Sequence, residues 1–192
     1  MKYDEFFSSP LGRKILEREA EYVAKYASGT IASVGCGTGK IEERIEEISG
    51  EKIIGVEIDD EMLAVAKDRI DVIKASATAL PFKNASLDAI IFITSLEFIE
   101  DYRKAIEESY RVLKAKGKII AILLNTSSQY FKRKYEAGGY IRKYMKHFDV
   151  DSIQDYIKIF FNTKVEGLFE IVENELYVPG KSVYGVIGIK EA

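Results

Sequence analysis

Short apolar runs rich in β-branched residues recur along the first two thirds of the chain, at 30–35, 52–58, 71–75, 89–93 and 118–124. They are apolar at successive positions instead of alternating, the pattern of strands covered by helices on both faces, and so predict a parallel sheet. Helical stripes fill the gaps. Ile41, Ile45 and Ile48 share one face of a helix that Ser49-Gly50 ends. Met62, Leu63, Val65 and Ala66 follow Asp59-Asp60, residue types that cap helix N-termini. Tyr102, Ala105, Ile106, Ser109, Tyr110 and Leu113 recur at i, i+3 and i+4, with Lys116-Gly117 as the stop. Strand–helix alternation at this spacing predicts βαβ units and an α/β, doubly wound, Rossmann-like fold.

The final third breaks the rhythm. Two β-rich segments, 168–178 and 182–189, are separated only by Pro179-Gly180-Lys181. Parallel neighbours need a crossover of about a dozen residues or more, so these segments are expected to pair as a terminal antiparallel hairpin. No repeat or Pro/Gly/Ser linker marks a boundary, and 192 residues suit a single domain.

Composition narrows the function classes. Apolar residues reach 47%, which excludes disorder as the main state. A net charge of −3 argues against a whole-chain electrostatic grip on nucleic acid but not against a local patch. One cysteine, Cys36, and one histidine, His147, exclude a disulfide framework and a metal site built on several of either; no metal site is expected. The longest apolar run, 119–124, falls far short of the ~20 residues of a membrane span. The first residues lack the apolar core of a signal peptide, so a cytoplasmic protein is expected.

The sharpest feature is Ser-Val-Gly-Cys-Gly-Thr-Gly, 33–39, directly after the first strand and opening a helix. Gly35, Gly37 and Gly39 allow positive φ and close approach of a ligand to the backbone, and the helix N-terminus offers free N–H groups. A P-loop is rejected: its first glycine would fall on Val34 and its hydroxyl on Ile41. A dinucleotide loop is weakened, because Lys40 stands where its third glycine belongs. Glu57 closes the second strand, which in a doubly wound sheet sets a carboxylate beside the glycine loop, where it can accept hydrogen bonds from a ribose diol.

The chain resembles class I S-adenosylmethionine-dependent methyltransferases, in particular the type 11 small-molecule group. Five segments carry the resemblance in order: 33–39, then 55–63 with Glu57, 75–82, 86–101 and 111–119. The resemblance implies a seven-stranded sheet of order 3-2-1-4-5-7-6 with strand 7 antiparallel. It implies S-adenosyl-L-methionine as cofactor and S-adenosyl-L-homocysteine as product. Gly35, Gly37 and Gly39 would cradle the methionine portion, with Cys36 fitting the motif as a small residue. Glu57 would hold the ribose, and Ile58 and Met62 would flank the adenine. Ser76 and Ala77 would meet the adenine amine, where the family usually has Asp-Ala, and Thr94 would face the cofactor. Phe98 stands where the family often has histidine, so no general base is assigned.

On this reading 1–28 forms an N-terminal lid or cap helix and 30–124 the cofactor-binding core. Residues 125–162 form a basic and aromatic helical cover, and 163–192 the terminal β-hairpin. The lid carries Tyr3, Phe6 and Phe7, with Arg13 as a candidate partner for the cofactor carboxylate. In the cover, Lys132, Arg133, Lys134, Arg142, Lys143 and Lys146 oppose one acid, Glu136, and Ile141, Tyr144, Met145 and Phe148 form a helical stripe broken off from its neighbour at Gly138-Gly139. This segment reads as a solvated amphipathic face, a pocket for an anionic substrate, or a patch for RNA or a membrane surface. His147 reads as a surface or helix-end residue rather than a base. The function expected is in-line methyl transfer to a small-molecule acceptor, with nucleic acid the less favoured partner. The alternatives are a catalytically silent cofactor-binding protein, an RNA-directed methyltransferase and an NAD(P)-dependent oxidoreductase.

Overall fold

The structure is a computed structural model that describes the backbone of residues 2–192 and the side chains of residues 4–192, so the side chain of Tyr3 lies outside the described residues. Five strands run parallel: β1 (Ile31–Val34), β2 (Ile53–Glu57), β3 (Asp71–Lys74), β4 (Leu87–Ile93) and β5 (Leu113–Leu124). Three more, β6 (Asn162–Val172), β7 (Glu175–Tyr177) and β8 (Val183–Ile189), complete a sheet of order β3-β2-β1-β4-β5-β8-β6-β7. β8 inserts antiparallel between β5 and β6. The winding reverses between β1 and β4, so a crevice opens beyond their carboxyl ends, where ligands of doubly wound sheets bind.

Helices α1 (Lys2–Ser8), α2 (Pro10–Tyr26) and α3 (Lys40–Ser49) precede β2, and α4 (Asp60–Ala66) precedes β3. A 3-10 turn at Leu96–Phe98 leads to α5 (Tyr102–Val112). α6 (Gln129–Glu136), α7 (Tyr140–Tyr144) and α8 (Val150–Phe160) fill the stretch between β5 and β6. The sheet is buried on both faces. Ile91 and Ile120 enter one apolar layer with Ile15, Val23 and Ile45 of α2 and α3. Their strand neighbours Ile90 and Ile119 enter the other with Ile106 and Ile153 of α5 and α8. Successive side chains of a strand point to opposite faces, which is why the core strands read as unbroken apolar runs.

Several expectations are corrected. The sheet has eight strands, not seven, because β7 adds a three-residue edge. The two segments flanking Pro179-Gly180-Lys181 do not pair along their length. Residues 168–178 instead fold back on themselves at Glu173-Asn174, both at positive φ (48° and 67°), so β7 lies on the outer edge of β6. The chain then crosses to the other edge of β6 as β8. Asparagine tolerates this left-handed turn and glutamate gives no hint of it. Lys116-Gly117 does not stop α5: the helix ends at Val112, Leu113 turns extended, and Lys116, at φ 63°, falls inside β5 with its N–H on Lys190 O. The 141–148 stripe ends early because the amides of Lys146 and His147 are drawn to Glu97 O. Met145 is buried, but Tyr144 and Phe148 are each 43% exposed.

Gly180 lies where the crossing passes β6, and a Cβ there would collide with the Glu170 backbone nitrogen. Gly180→Ala is expected to lower stability by about 1–3 kcal/mol, the range for forced overpacking. A urea midpoint equal to that of the wild type would mean that the crossing does not hold these two backbones together.

Candidate active site

Beyond the tip of β1 the chain places Gly35, Gly37 and Gly39 at φ 71°, 56° and 71°, a region that side chains with a Cβ rarely enter. Gly35 is exposed, with its N–H on Val56 O, and Gly39 caps α3. Glu57, at the end of β2, ties this loop down. Its Oε2 accepts from Gly37 N at 2.8 Å, and its Oε1 accepts from the amides of Ile58 (2.8 Å) and Asp59 (2.9 Å). A carboxylate offers about four acceptor positions, so roughly one remains open. Beside this buried acid, Ile58 is 65% exposed, an apolar platform at the mouth of the crevice.

The other anticipated residues ring the same edge. Met62 is half-buried on α4, whose N-cap Asp59 accepts from the Glu61 and Met62 amides. Ser76 and Ala77 are half-buried after β3, and Ser76 Oγ lies 2.8 Å from Thr78 Oγ1 and accepts from Thr78 N. Thr94, at the tip of β4, is held at φ 44° with its N–H on Ile122 O. Positive φ at a β-branched residue is strained. Ser95 Oγ donates to Val34 O and presses close to Gly35, which fixes the β4 tip against the loop. Cys36 is buried, and burial, then the negative Glu42 and Glu57, pushes its thiol upward; it is not an activated nucleophile. An exposed glycine backbone, a hydrogen-bonding acid and an exposed isoleucine together fit a cofactor with a polar amino-acid end, a ribose and an apolar base.

The N-terminal helices cover this edge. Asp4 accepts from Thr38 Oγ1 at 2.7 Å and from Arg69 at 2.8 Å, and Arg69 also donates to Thr38 O at 2.9 Å, so α1 is fastened to the glycine loop. Lys134 of α6 lies over the Phe6 ring at 4.9 Å. Tyr140 of α7 sits 5.5 Å from Phe98, centre to centre, and burial followed by the fields of Glu57 and Asp59 raises its hydroxyl pKa. Arg13 does not join the site: it is exposed and donates to Ser8 O. His147 Nε2 lies 2.9 Å from Ile99 O and 3.1 Å from Glu100 O, contacts that only an Nε2–H can satisfy, so the ring holds that loop. A groove of about 480 Å³ next to it is lined by Arg103, Lys146 and His147 but equally by Glu100, Asp101 and Asp149, which does not suit an anion.

Sequence reasoning missed three buried acids that have no ion-pair partner among the described residues. Glu19 on α2, Glu42 on α3 and Glu97 after β4 are 4%, 3% and 0% exposed. Glu42 accepts from Ser33 Oγ at 2.7 Å, and Glu97 Oε1 accepts from Leu124 N at 2.7 Å. Burial, then the neighbouring Glu42 and Glu97, raises Glu19 to about 8. Burial raises Glu42 and Glu97 to about 7 each. The one signal in the sequence was an acid in the otherwise apolar i, i+4 stripe Leu11, Ile15, Glu19, Val23.

Comparison with known proteins gives the family. A model described as a methyltransferase domain, of type 11, matches residues 32–121. An uncharacterized protein of Methanocaldococcus jannaschii is 31% identical over 96% of this chain and 90% of its own length. The solved structure of a Thermotoga maritima protein, described as a SAM-dependent methyltransferase and possible histamine N-methyltransferase, covers 99% of this chain and 95% of its own with a TM-score of 0.82, at 24% identity. The chain belongs to the class I S-adenosylmethionine-dependent methyltransferases. Demethylmenaquinone methyltransferase of Oceanobacillus iheyensis is 31% identical over 50% of this chain, and the match spans only 44% of that protein. The methyltransferase sheet order matches the expectation apart from the added edge strand. Among the described residues no helix is long and apolar enough to cross a membrane.

The buried acids make the methyltransferase's stability depend on pH. All three hold their protons to higher pH in the folded chain than the ~4.3 of an unfolded glutamate, so the folded state binds more protons between about pH 4.5 and 8. Their contribution is fully present below that window and is lost as pH rises through it. Urea unfolding is expected to show a fall of roughly 1–3 kcal/mol from pH 5 to pH 8. The Glu19→Gln, Glu97→Gln double variant should flatten that slope; an unaltered slope would place the proton uptake elsewhere.

Proposed function

We propose that this methyltransferase acts on a small-molecule acceptor held between the tips of β1 and β4 and the covering helix α2. The observation that carries the proposal is the Glu57 carboxylate bound to the Gly37 amide at the reversal of the sheet, with an exposed Ile58 beside it. When bound, S-adenosylmethionine supplies a methyl group on a sulfonium, whose sulfur leaves as a neutral thioether. The chain's own task is to orient the acceptor and exclude water.

In this reading Gly35, Gly37 and Gly39 hold the amino-acid end of the cofactor and Glu57 its ribose. Ile58 and Met62 pack on the base, Ser76 and Ala77 meet its edge, and Thr94 faces the reacting end. The cover of α1 and α2 keeps water out through the Asp4 contacts and buried Phe7. A small acceptor agrees with the relatives named for demethylmenaquinone methylation, although the match to them covers only about half of this chain. The silent-binder alternative rests on two departures from the family, Ser76 for its Asp and Phe98 for its histidine, and release of S-adenosylhomocysteine with an added acceptor separates it from methyl transfer.

Calorimetry with S-adenosylmethionine and with NAD(H) tests the reading. Heat is expected from the first only, and binding of NAD(H) alone would overturn the assignment. Glu57→Gln puts an amide N–H₂ against backbone donors and is expected to weaken cofactor binding by about 1.5–3 kcal/mol, roughly 10- to 150-fold. Unchanged affinity would remove Glu57 from the site.

A further inference from the structure

We propose that the methyl acceptor is an amine, bound as a cation between Glu19 and Glu97; the inference rests on the methyl-transfer reading above. Glu97 is fully buried, and while its Oε1 takes the Leu124 amide, its Oε2 has no partner and is sealed from water. Buried polar atoms in native folds almost always have partners. An orphaned carboxylate oxygen marks a place where a donor is supplied from outside the chain.

Glu19 is a second buried acid, near enough to Glu97 for the two charges to act on each other. It occupies a core position of α2, 4% exposed, and makes no hydrogen bond with any described residue. The fields that act on it are those of Glu42 and Glu97, both negative when ionised. Glu42 has a structural account, since Ser33 donates to it and it lies in the first turn of α3, where helix N-termini favour acids. Glu97 has such an account for Oε1 alone, through the Leu124 amide, and its Oε2 has none; Glu19 has no hydrogen-bond donor among the described residues.

No lysine, arginine or histidine is among the buried residues described, so the chain itself brings no buried positive charge to this cluster. Burying an ionised carboxylate without a counter-charge is costly. An acceptor carboxylate would add to the repulsion, and an alcohol would leave the charge unmatched. An ammonium supplies both the charge and several N–H donors.

The same carboxylates account for the proton. An ammonium has no lone pair, so it first gives one proton to Glu97 or Glu19, the N–H electrons staying on nitrogen. The new nitrogen–carbon bond then forms as the methyl's bond to sulfur breaks, and that pair remains on sulfur. The product leaves as a methylated ammonium, and the carboxyl returns its proton to water.

The test is calorimetry at about pH 8 on the whole chain saturated with S-adenosylhomocysteine. The probes are 2-phenylethylamine and hexylamine, the matching alcohols, and 3-phenylpropanoate. Each amine is expected to bind at least about tenfold more tightly than its alcohol, with 3-phenylpropanoate weakest. The advantage should shrink below about threefold in Glu97→Gln and in Glu19→Gln, with S-adenosylhomocysteine affinity unchanged. An alcohol or the carboxylate binding as well as the amine, neither amine binding, or a preference that survives both substitutions would each overturn the proposal. Failure of the methyl-transfer reading appears separately, as absence of S-adenosylhomocysteine binding in the first titration.

Discussion

One carboxylate accepting three backbone N–H groups organises the ligand-binding edge. Glu57 reaches from the end of β2 to Gly37 and also takes the amides of Ile58 and Asp59. Loop, strand end and helix entry are therefore parts of one hydrogen-bonded unit. Charge-assisted bonds of this kind are stronger than neutral ones, and the left-handed glycines let the loop bend far enough to receive them. The crevice at the sheet's reversal thus owes its shape to a residue that keeps roughly one acceptor position open.

The buried acids show the opposite economy. A core position of α2 filled by glutamate instead of leucine or isoleucine gives up packing and adds the desolvation of a carboxyl. Folded proteins tolerate such losses where function uses the group, and functional sites are where titratable groups depart most from their ordinary pKa values. Thr94, held at positive φ beside the same crevice, adds backbone strain to that list.

The fold was largely legible because its strands are buried on both faces: Ile90 and Ile91 are both apolar since each meets a different helical layer. The glycine loop and Glu57 were legible because tight turns and strand-end acids have local signatures. Features set by tertiary contact were not. Lys116-Gly117 carries the residues of a helix stop, yet its backbone is claimed by pairing with the C-terminal strand through Lys190. The reversal at Glu173-Asn174 lacks the Asn-Gly or Asp-Gly pair that announces a two-residue turn. The burial of Glu19 had no local signature beyond its place in an apolar stripe, since nothing in one helix discloses what packs over it.

The fastening of α1 to the glycine loop joins a charge pair to apolar burial. Parting Asp4 from Arg69 and Thr38 exposes a pair of opposite charges along with the greasy underside of Phe7. Added electrolyte screens such separated charges, while strongly hydrated salts drive apolar surfaces together. Ionic strength and salt type therefore act on this contact in different directions, a behaviour that a purely apolar contact would lack.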